Sequence, residues 1–437
     1  MKKIFLFMLL YVPFMVWAQT DKVYLIKTGR LFDSEVAQFK TGLDIIVKNG
    51  RIDDVKADKD IPTAEREKYT LIDLSAFTIL PGLIDVHTHL LYKEELLPNR
   101  DFSSESLVKR LTMEGDAYRA IYGAVRAKAY LEAGITSVQD LGNSGKFADI
   151  ALRKAINENL VPGPRMSCAG QGLASEGGQL PGLIYEHRDI ANDEYRIVSG
   201  VDDARQAVRE NITQGANVIK IYSNNTPNKT ALSVEEMSAI VKEAHRYGVR
   251  VTAHATDDHA VYNAVISGVD GIEHGYEIAD STLMLMAKKK VILVPTDLDK
   301  VTFTNYLKIA APNVKDVDAQ ITKYQKSPTD RLQRAIKFGV TIAYGSDDYI
   351  DMKMPLAEPS KRILIAYHEE GVAIPQVLQF ATLNSARQIN HSALLGVIKK
   401  SYLADIIAVD NSIDKDINAI LNVRFVMKGG VIYVNKQ

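Results

Sequence analysis

Three features of the sequence predict an α/β fold, a (β/α)8 TIM barrel with a small β-sandwich domain built from both chain ends. Short apolar or β-branched runs alternate with helix-patterned segments through the middle of the chain, the mark of a parallel α/β architecture. Both ends instead carry short strand-like runs separated by turn residues. Finally, four of the nine histidines fall at the ends of the middle runs, and in a parallel barrel all strands end at one rim.

Residues 1–18 open with Lys2 and Lys3, continue through an apolar run from Ile4 to Trp17, and place Val16 and Ala18 at the −3 and −1 positions of a cleavage site. This reads as a cleavable secretory signal, too short to span a membrane and stop, against the alternative of an uncleaved anchor. No cysteine follows Ala18 to take a lipid, and the single Cys168 cannot form an internal disulfide. Export without disulfides suits a bacterial periplasm or the cell exterior. The near-neutral balance of 53 basic and 54 acidic residues gives no electrostatic reason to expect nucleic acid or an anionic membrane as partner.

Residues 19–80 read as short strands: Val23 to Ile26, Leu43 to Val47, Arg51-Ile52 after the turn pair Asn49-Gly50, and Leu71 to Asp73. Residues 391–437 read similarly, with Ile406 to Val409, Val423 to Met427, a Gly429-Gly430 turn and Val431 to Val434. Neither end can bury a good core alone, so the two are expected to pair into one sandwich. The barrel is then expected over 81–390. Its strand-like runs include Thr78 to His89, Val218 to Tyr222, Val251 to His254, Gly271 to His274 and Ile342 to Asp347. Helices are expected at Val234 to Tyr247 and His259 to Ile266. The stretch 295–330 reads as a long connection on the active rim, where such loops shape pockets.

The chemistry begins at His87 and His89. Alternation along a strand puts both on one face, where two imidazoles can grip a borderline metal such as zinc. Asp85, two residues earlier, reads as support for them. Lys220 lies inside an apolar run where a bare ammonium is costly. Its bland reading is a lysine that snorkels to the rim or pairs with an acid. Asp347 has a bland reading too, as a loop acid capping the next helix.

Taken together, PGLIDVHTHL, GANVIKIY, VTAHA, GIEHG and GSDD, in this order, resemble the metal-dependent amidohydrolase superfamily. The resemblance is closest to its prolidase-like, Xaa-Pro dipeptidase-like branch, whose fourth-strand motif carries a lysine. LEAGITSVQDLG (131–142) looks like that family's second-strand segment, and 404–430 like its closing strands. The resemblance implies that Lys220 takes up carbon dioxide to form a carbamate bridging two divalent ions, expected to be zinc. His87, His89 and Asp347 would hold the more buried ion, and His254 and His274 the more exposed one. A hydroxide shared by the ions would attack a carbonyl, with Asp347 as the catalytic proton carrier.

The implied activity is hydrolysis of amide bonds in small substrates, such as Xaa-Pro dipeptides or N-acyl amino acids. Tyr222 matches a position that often contacts substrate, although a core tyrosine reads almost as well. Gly177, Gly178 and Gln179 fall where relatives carry a substrate-contacting Gly-Gly-His pattern, and Gln179 departs from it. His187, His245, His259, His368 and His391 read as surface residues. A mononuclear deaminase or imidazolone hydrolase is the main alternative. Its usual glutamate, three residues after the fifth-strand histidine, is Asp257 here. A lactone or phosphotriester hydrolase would use the same ligands, and an inactive scaffold would be expected to have lost some of them. The expected partner is a small-molecule substrate, and a homo-oligomer is compatible with the sequence.

Overall fold

The computed structural model describes residues 23–98, 105–180, 182–225 and 228–436. The expected signal segment 1–18 lies outside the described residues. No helix among the described residues is long and apolar enough to cross a membrane.

Both chain ends join in one sheet. Val23–Asp33 runs parallel to Thr70–Pro81 and antiparallel to Leu43–Lys48, and Ile406–Asp410 pairs antiparallel with Thr70–Pro81, Ala408 facing Ile79. Asn49 and Gly50 both adopt positive φ (51° and 74°), as a two-residue hairpin turn requires. Every strand expected here forms and extends beyond the run that signalled it, since only the apolar positions announce a strand.

The strands of both ends thus belong to a single hydrogen-bonded sheet, and its two flanks also touch. The Gly50 carbonyl accepts from the Ala404 N–H at 2.9 Å, and a Cβ on Gly50 would lie 2.7 Å from the Gly429 oxygen. Ile26, Ile45, Val47, Ile52, Leu74, Phe425 and Met427 share the enclosed core. Neither end supplies that core alone.

The middle of the chain alternates strand and helix, as its periodicity predicts. Leu83–Thr88, Ile135–Asp140 and Arg165–Cys168 form one parallel sheet. Val218–Tyr222, Arg250–Ala255, Gly271–His274 and Ile292–Val294 run parallel in another, extended at one edge by Gly172–Ala174 and Tyr195–Ile197. The Asn217 N–H bonds to the Cys168 carbonyl at 3.1 Å, linking the two sheets. Helix Val234–Arg246 starts where expected, with a capping box in which Ser233 and Glu236 satisfy each other's backbone N–H. Helix Asp258–Ser267 covers the second expected helix.

Two expectations need correction. Ile342 to Asp347 is extended but is not a regular strand. It bonds to both neighbours, Ala343 N–H to Leu293 O and Val86 N–H to Tyr344 O, each at 2.9 Å, yet its ladder breaks at Asp347, which has φ +52°. Gly345 lets it lie flush, because a Cβ there would fall 2.4 Å from Val294 Cγ1. The 295–330 stretch is not a long loop either. It holds helix Lys300–Ala310, capped by Asp299, and most of helix Val317–Lys337, capped by Asp316.

Candidate metal centre

His87 is the fifth residue of a fully buried strand, and His89 follows its end. Alternation puts their rings together, Nε2 to Nε2 at 3.3 Å. Asp347 brings Oδ1 to 3.3 Å from His87 Nε2 and 3.1 Å from His89 Nε2. Ligands at the corners of a tetrahedron with ~2.1 Å metal bonds stand roughly 3.4 Å apart, so this spacing fits one ion. The outward nitrogens are committed elsewhere. His87 Nδ1 sits 2.7 Å from Glu273 Oε2, and His89 Nδ1 lies 2.8 Å from the Gly142 carbonyl. Such acceptors fix the tautomer and leave Nε2 lone pairs aimed inward.

His254 and His274 flank this trio. Their rings lie 4.6 Å apart, and the His274 ring is 5.0 Å from that of His87. His274 Nδ1 is 3.9 Å from Asp347 Oδ2 and 2.9 Å from the Thr296 hydroxyl. His274, Thr296 and Asp347 all carry left-handed backbone, with φ of 71°, 60° and 52°. Strain of this kind in non-glycine residues clusters at functional sites. At His274 it also breaks strand alternation, so that neighbouring Glu273 and His274 both serve the same cluster.

Lys220 is 1% exposed, with its ammonium nitrogen 5.5 Å from the centroid of the Tyr222 ring. Burial lowers its pKa, although the charges of Glu273 and Asp347 oppose the shift. His254 and His274 are held well below the usual imidazole range, by burial first and then by the Lys220 and His254 charges respectively. His87 moves the other way: burial and Lys220 press it down, but Asp347 and Glu273 outweigh them. Burial would raise Asp347, yet His87 and His89 keep it well below the normal carboxylate range. Four imidazoles, a carboxylate and a buried amine form a donor set that suits divalent metal.

Asp85 acts on backbone rather than on a ring. Its Oδ1 accepts the N–H groups of His87 (3.2 Å) and Ser346 (3.0 Å), and its Oδ2 accepts the Ser360 hydroxyl. It therefore ties the strand carrying His87 to the segment carrying Asp347. Burial raises its pKa to about 6, against the stabilising bonds from Ser346 and Ser360.

The expected substrate residues fall unevenly. Gln179 places its side-chain nitrogen 3.1 Å from His254 Nε2. The Gly178 N–H is spent inside its own turn, on the Ser175 carbonyl at 3.0 Å, and so does not serve as the donor that a substrate would need. Gly177 sits in that turn at φ +81°. Tyr222 is 2% exposed, with its ring 5.4 Å from that of His254 and its hydroxyl 3.5 Å from Asn143 Oδ1. It lines the ligand set from within the core. His187, His245, His259, His368 and His391 are all exposed. Asp257 is occupied as the N-cap of helix Asp258–Ser267, accepting the Ala260 N–H at 2.9 Å.

Several supporting residues escape a reading of the sequence. Glu273 is fully buried between His87 and the Thr252 hydroxyl. Its signal is an acid inside a buried strand, like Lys220, but simple alternation places it on the face opposite His274. Arg126 donates to the His89 and Tyr92 carbonyls at 2.7 and 2.9 Å and pairs with Asp348. Arg331 pairs with Asp297 and donates to the His274 carbonyl at 3.1 Å. Buried guanidinium groups thus satisfy strand-end carbonyls that have left the ladder. Nothing in a helical pattern distinguishes these arginines from surface ones. Beside Asp347 opens a cavity of about 340 Å³ whose lining is mostly apolar and includes five aromatic residues.

The model of the amidohydrolase family matches residues 78–433. Ochratoxinase of Aspergillus niger is 27% identical over 96% of this chain and 88% of its own length. An imidazolonepropionase of Caldanaerobacter subterraneus subsp. tengcongensis is 22% identical over 84% of this chain and 83% of its own. Among solved structures, a Xaa-Pro dipeptidase with methionine bound in its active site superposes with a TM-score of 0.79 and 26% identity. That match covers 95% of this chain and 100% of the dipeptidase.

Proposed function

The chain belongs to the amidohydrolase family and is a hydrolase of carbon–nitrogen bonds; from that premise we propose that it cleaves amide bonds of small substrates, dipeptides such as Xaa-Pro or N-acyl amino acids, at a centre of two divalent ions. The observation that carries this reading is the convergence of His87, His89, Lys220, His254, His274 and Asp347, drawn from distant parts of the sequence onto one cluster. His87, His89 and Asp347 would hold one ion, expected to be zinc. His254 and His274 would hold the second, with a Lys220 carbamate between them. Six donors exceed what one tetrahedral ion needs. When bound, such ions bring the pKa of water towards neutrality and polarise a carbonyl oxygen.

The chain's own residues do the rest. Asp347, kept ionised by the two histidines, accepts a proton from the attacking water and returns it to the departing amine nitrogen. Glu273 and the Gly142 carbonyl hold the two imidazoles in orientation. Gln179, beside His254, faces the substrate. We read the circuit of parallel strands, linked through 341–347 back to Leu83–Thr88, as a closed (β/α)8 barrel, and residues 1–18 as a cleaved export signal.

The test is a panel of dipeptides and N-acyl amino acids offered to metal-loaded protein. Cleavage of an amide supports the assignment. Release of ammonia or opening of a heterocycle, with every amide ignored, would transfer it to the deaminase or imidazolone class, against which the capping role of Asp257 already speaks.

A further inference from the structure

The cavity beside Asp347 has a composition that constrains what can enter it. Phe303 stacks on Tyr324 with ring centroids 4.1 Å apart and planes 14° from parallel, and on Tyr306 at 6.0 Å and 16°. The wall is fixed from both sides. Asp299 caps the helix carrying Phe303 and also binds Arg362 at 3.0 Å, while the Tyr324 hydroxyl accepts the Leu298 N–H at 2.9 Å. Tyr276 and Tyr349 complete the lining where it meets the ligand cluster. The Tyr276 hydroxyl is 3.4 Å from His274 Nδ1, and the Tyr349 ring lies edge-on to His89 at 5.7 Å.

A group bonded to a carbonyl at the cluster therefore has this aromatic chamber as its nearest neighbour. Among the described residues no lysine, arginine or histidine lines it, and its only carboxylates are Asp347 and Asp348. An anionic side chain there would be desolvated, unpaired and repelled. One buried hydroxyl in the lining, Thr302 Oγ1, has no hydrogen-bond partner among the described residues. A cavity of about 150 Å³ suffices to bind benzene, so about 340 Å³ accommodates one or two rings.

Deepening the hydrolase assignment on which it rests, we infer that the chamber selects substrates carrying an uncharged aromatic group next to the scissile bond, with Phe303 and Tyr324 as the specificity-determining wall and Thr302 as a hydrogen-bonding partner for a polar ring substituent.

The experiment compares kcat/KM of metal-loaded enzyme on N-phenylacetylglycine, N-acetyl-L-phenylalanine, N-succinylglycine and N-acetylglycine. One of the two aromatic substrates should exceed N-acetylglycine by about tenfold or more, within what an apolar pocket can discriminate, and N-succinylglycine should not. Phe303→Ala should bring that ratio down towards one. Ile350→Trp, a filling change at a half-exposed lining residue, should do the same and guards against misfolding of the first variant. Calorimetric titration with indole gives a readout independent of turnover: binding to wild type, lost in both variants. Indole binding of this kind without cleavage of any amide keeps the chamber and sinks the amide assignment. Cleavage of N-acetylglycine with no aromatic preference and no indole binding overturns the chamber and leaves the hydrolase standing.

Discussion

His87 and His89 each commit one ring nitrogen to a fixed acceptor, Glu273 and the Gly142 carbonyl, whereas the one side-chain hydrogen bond of His254 among the described residues goes to half-buried Gln179. The deeper trio also shares direct contacts of 3.1 to 3.3 Å, while His274 stands 3.9 Å from Asp347. The first group is thus oriented by buried strands and a carboxylate, and the second by a loop side chain and a threonine hydroxyl. A ligand set whose rotamers are already locked loses less freedom when an ion arrives. The deeper site should therefore bind metal more tightly, and the outer one should respond more to substrate and to loop sequence.

The strongest way to break that comparison is to remove what both halves are expected to share. Lys220→Ala should abolish measurable activity and lower metal content below two ions per chain by elemental analysis, and a short carboxylic acid in solution should restore part of both. Full activity in that variant would make Lys220 an ordinary buried residue. Asp347→Asn should follow closely, with kcat reduced about 10³-fold and KM changed far less, as expected for a group moving a proton in the transition state. Loss confined to KM would recast Asp347 as a binding residue.

A smaller effect separates the halves. Glu273→Gln should weaken metal binding at the deeper site by about 10- to 100-fold, read by competitive chelator titration, and leave the outer affinity within a few-fold. For the same reason, graded chelation of the wild type should remove one ion before the other. Simultaneous loss of both would mean that the two sites are equally well prepared. The mildest change is Gln179→Ala. It should leave metal content at two and alter relative kcat/KM among substrates by a few-fold, which a competition assay between two amides resolves.

Much of the cluster was legible because strand physics is local. His87 and His89 share a face by simple alternation, and Lys220, His254 and His274 each stand out as polar residues in apolar runs. The Asn49-Gly50 and Gly429-Gly430 turns announced hairpins that formed. Glu273 was hidden because the positive φ at His274 overrides alternation, and local pattern carries no sign of that strain. The 295–330 stretch reads as a connection because its longer helix, Val317–Lys337, is largely polar and contains Pro328. Its aromatic residues Phe303, Tyr306 and Tyr324 lie scattered in sequence and become a wall only when two helices stack them.

By itself the sequence determined the α/β class and the strands of the two chain ends, because periodicity and turn chemistry act over a few residues, and its family resemblance singled out the six side chains expected to converge. Only the tertiary structure decided what each ligand's second nitrogen touches, that Asp85 supports backbone rather than imidazole, that Gly178 has no N–H to spare, and that an uncharged aromatic chamber adjoins Asp347. Those facts depend on contacts between residues tens to hundreds of positions apart, set by packing and by burial of charge, for which a local pattern holds no record.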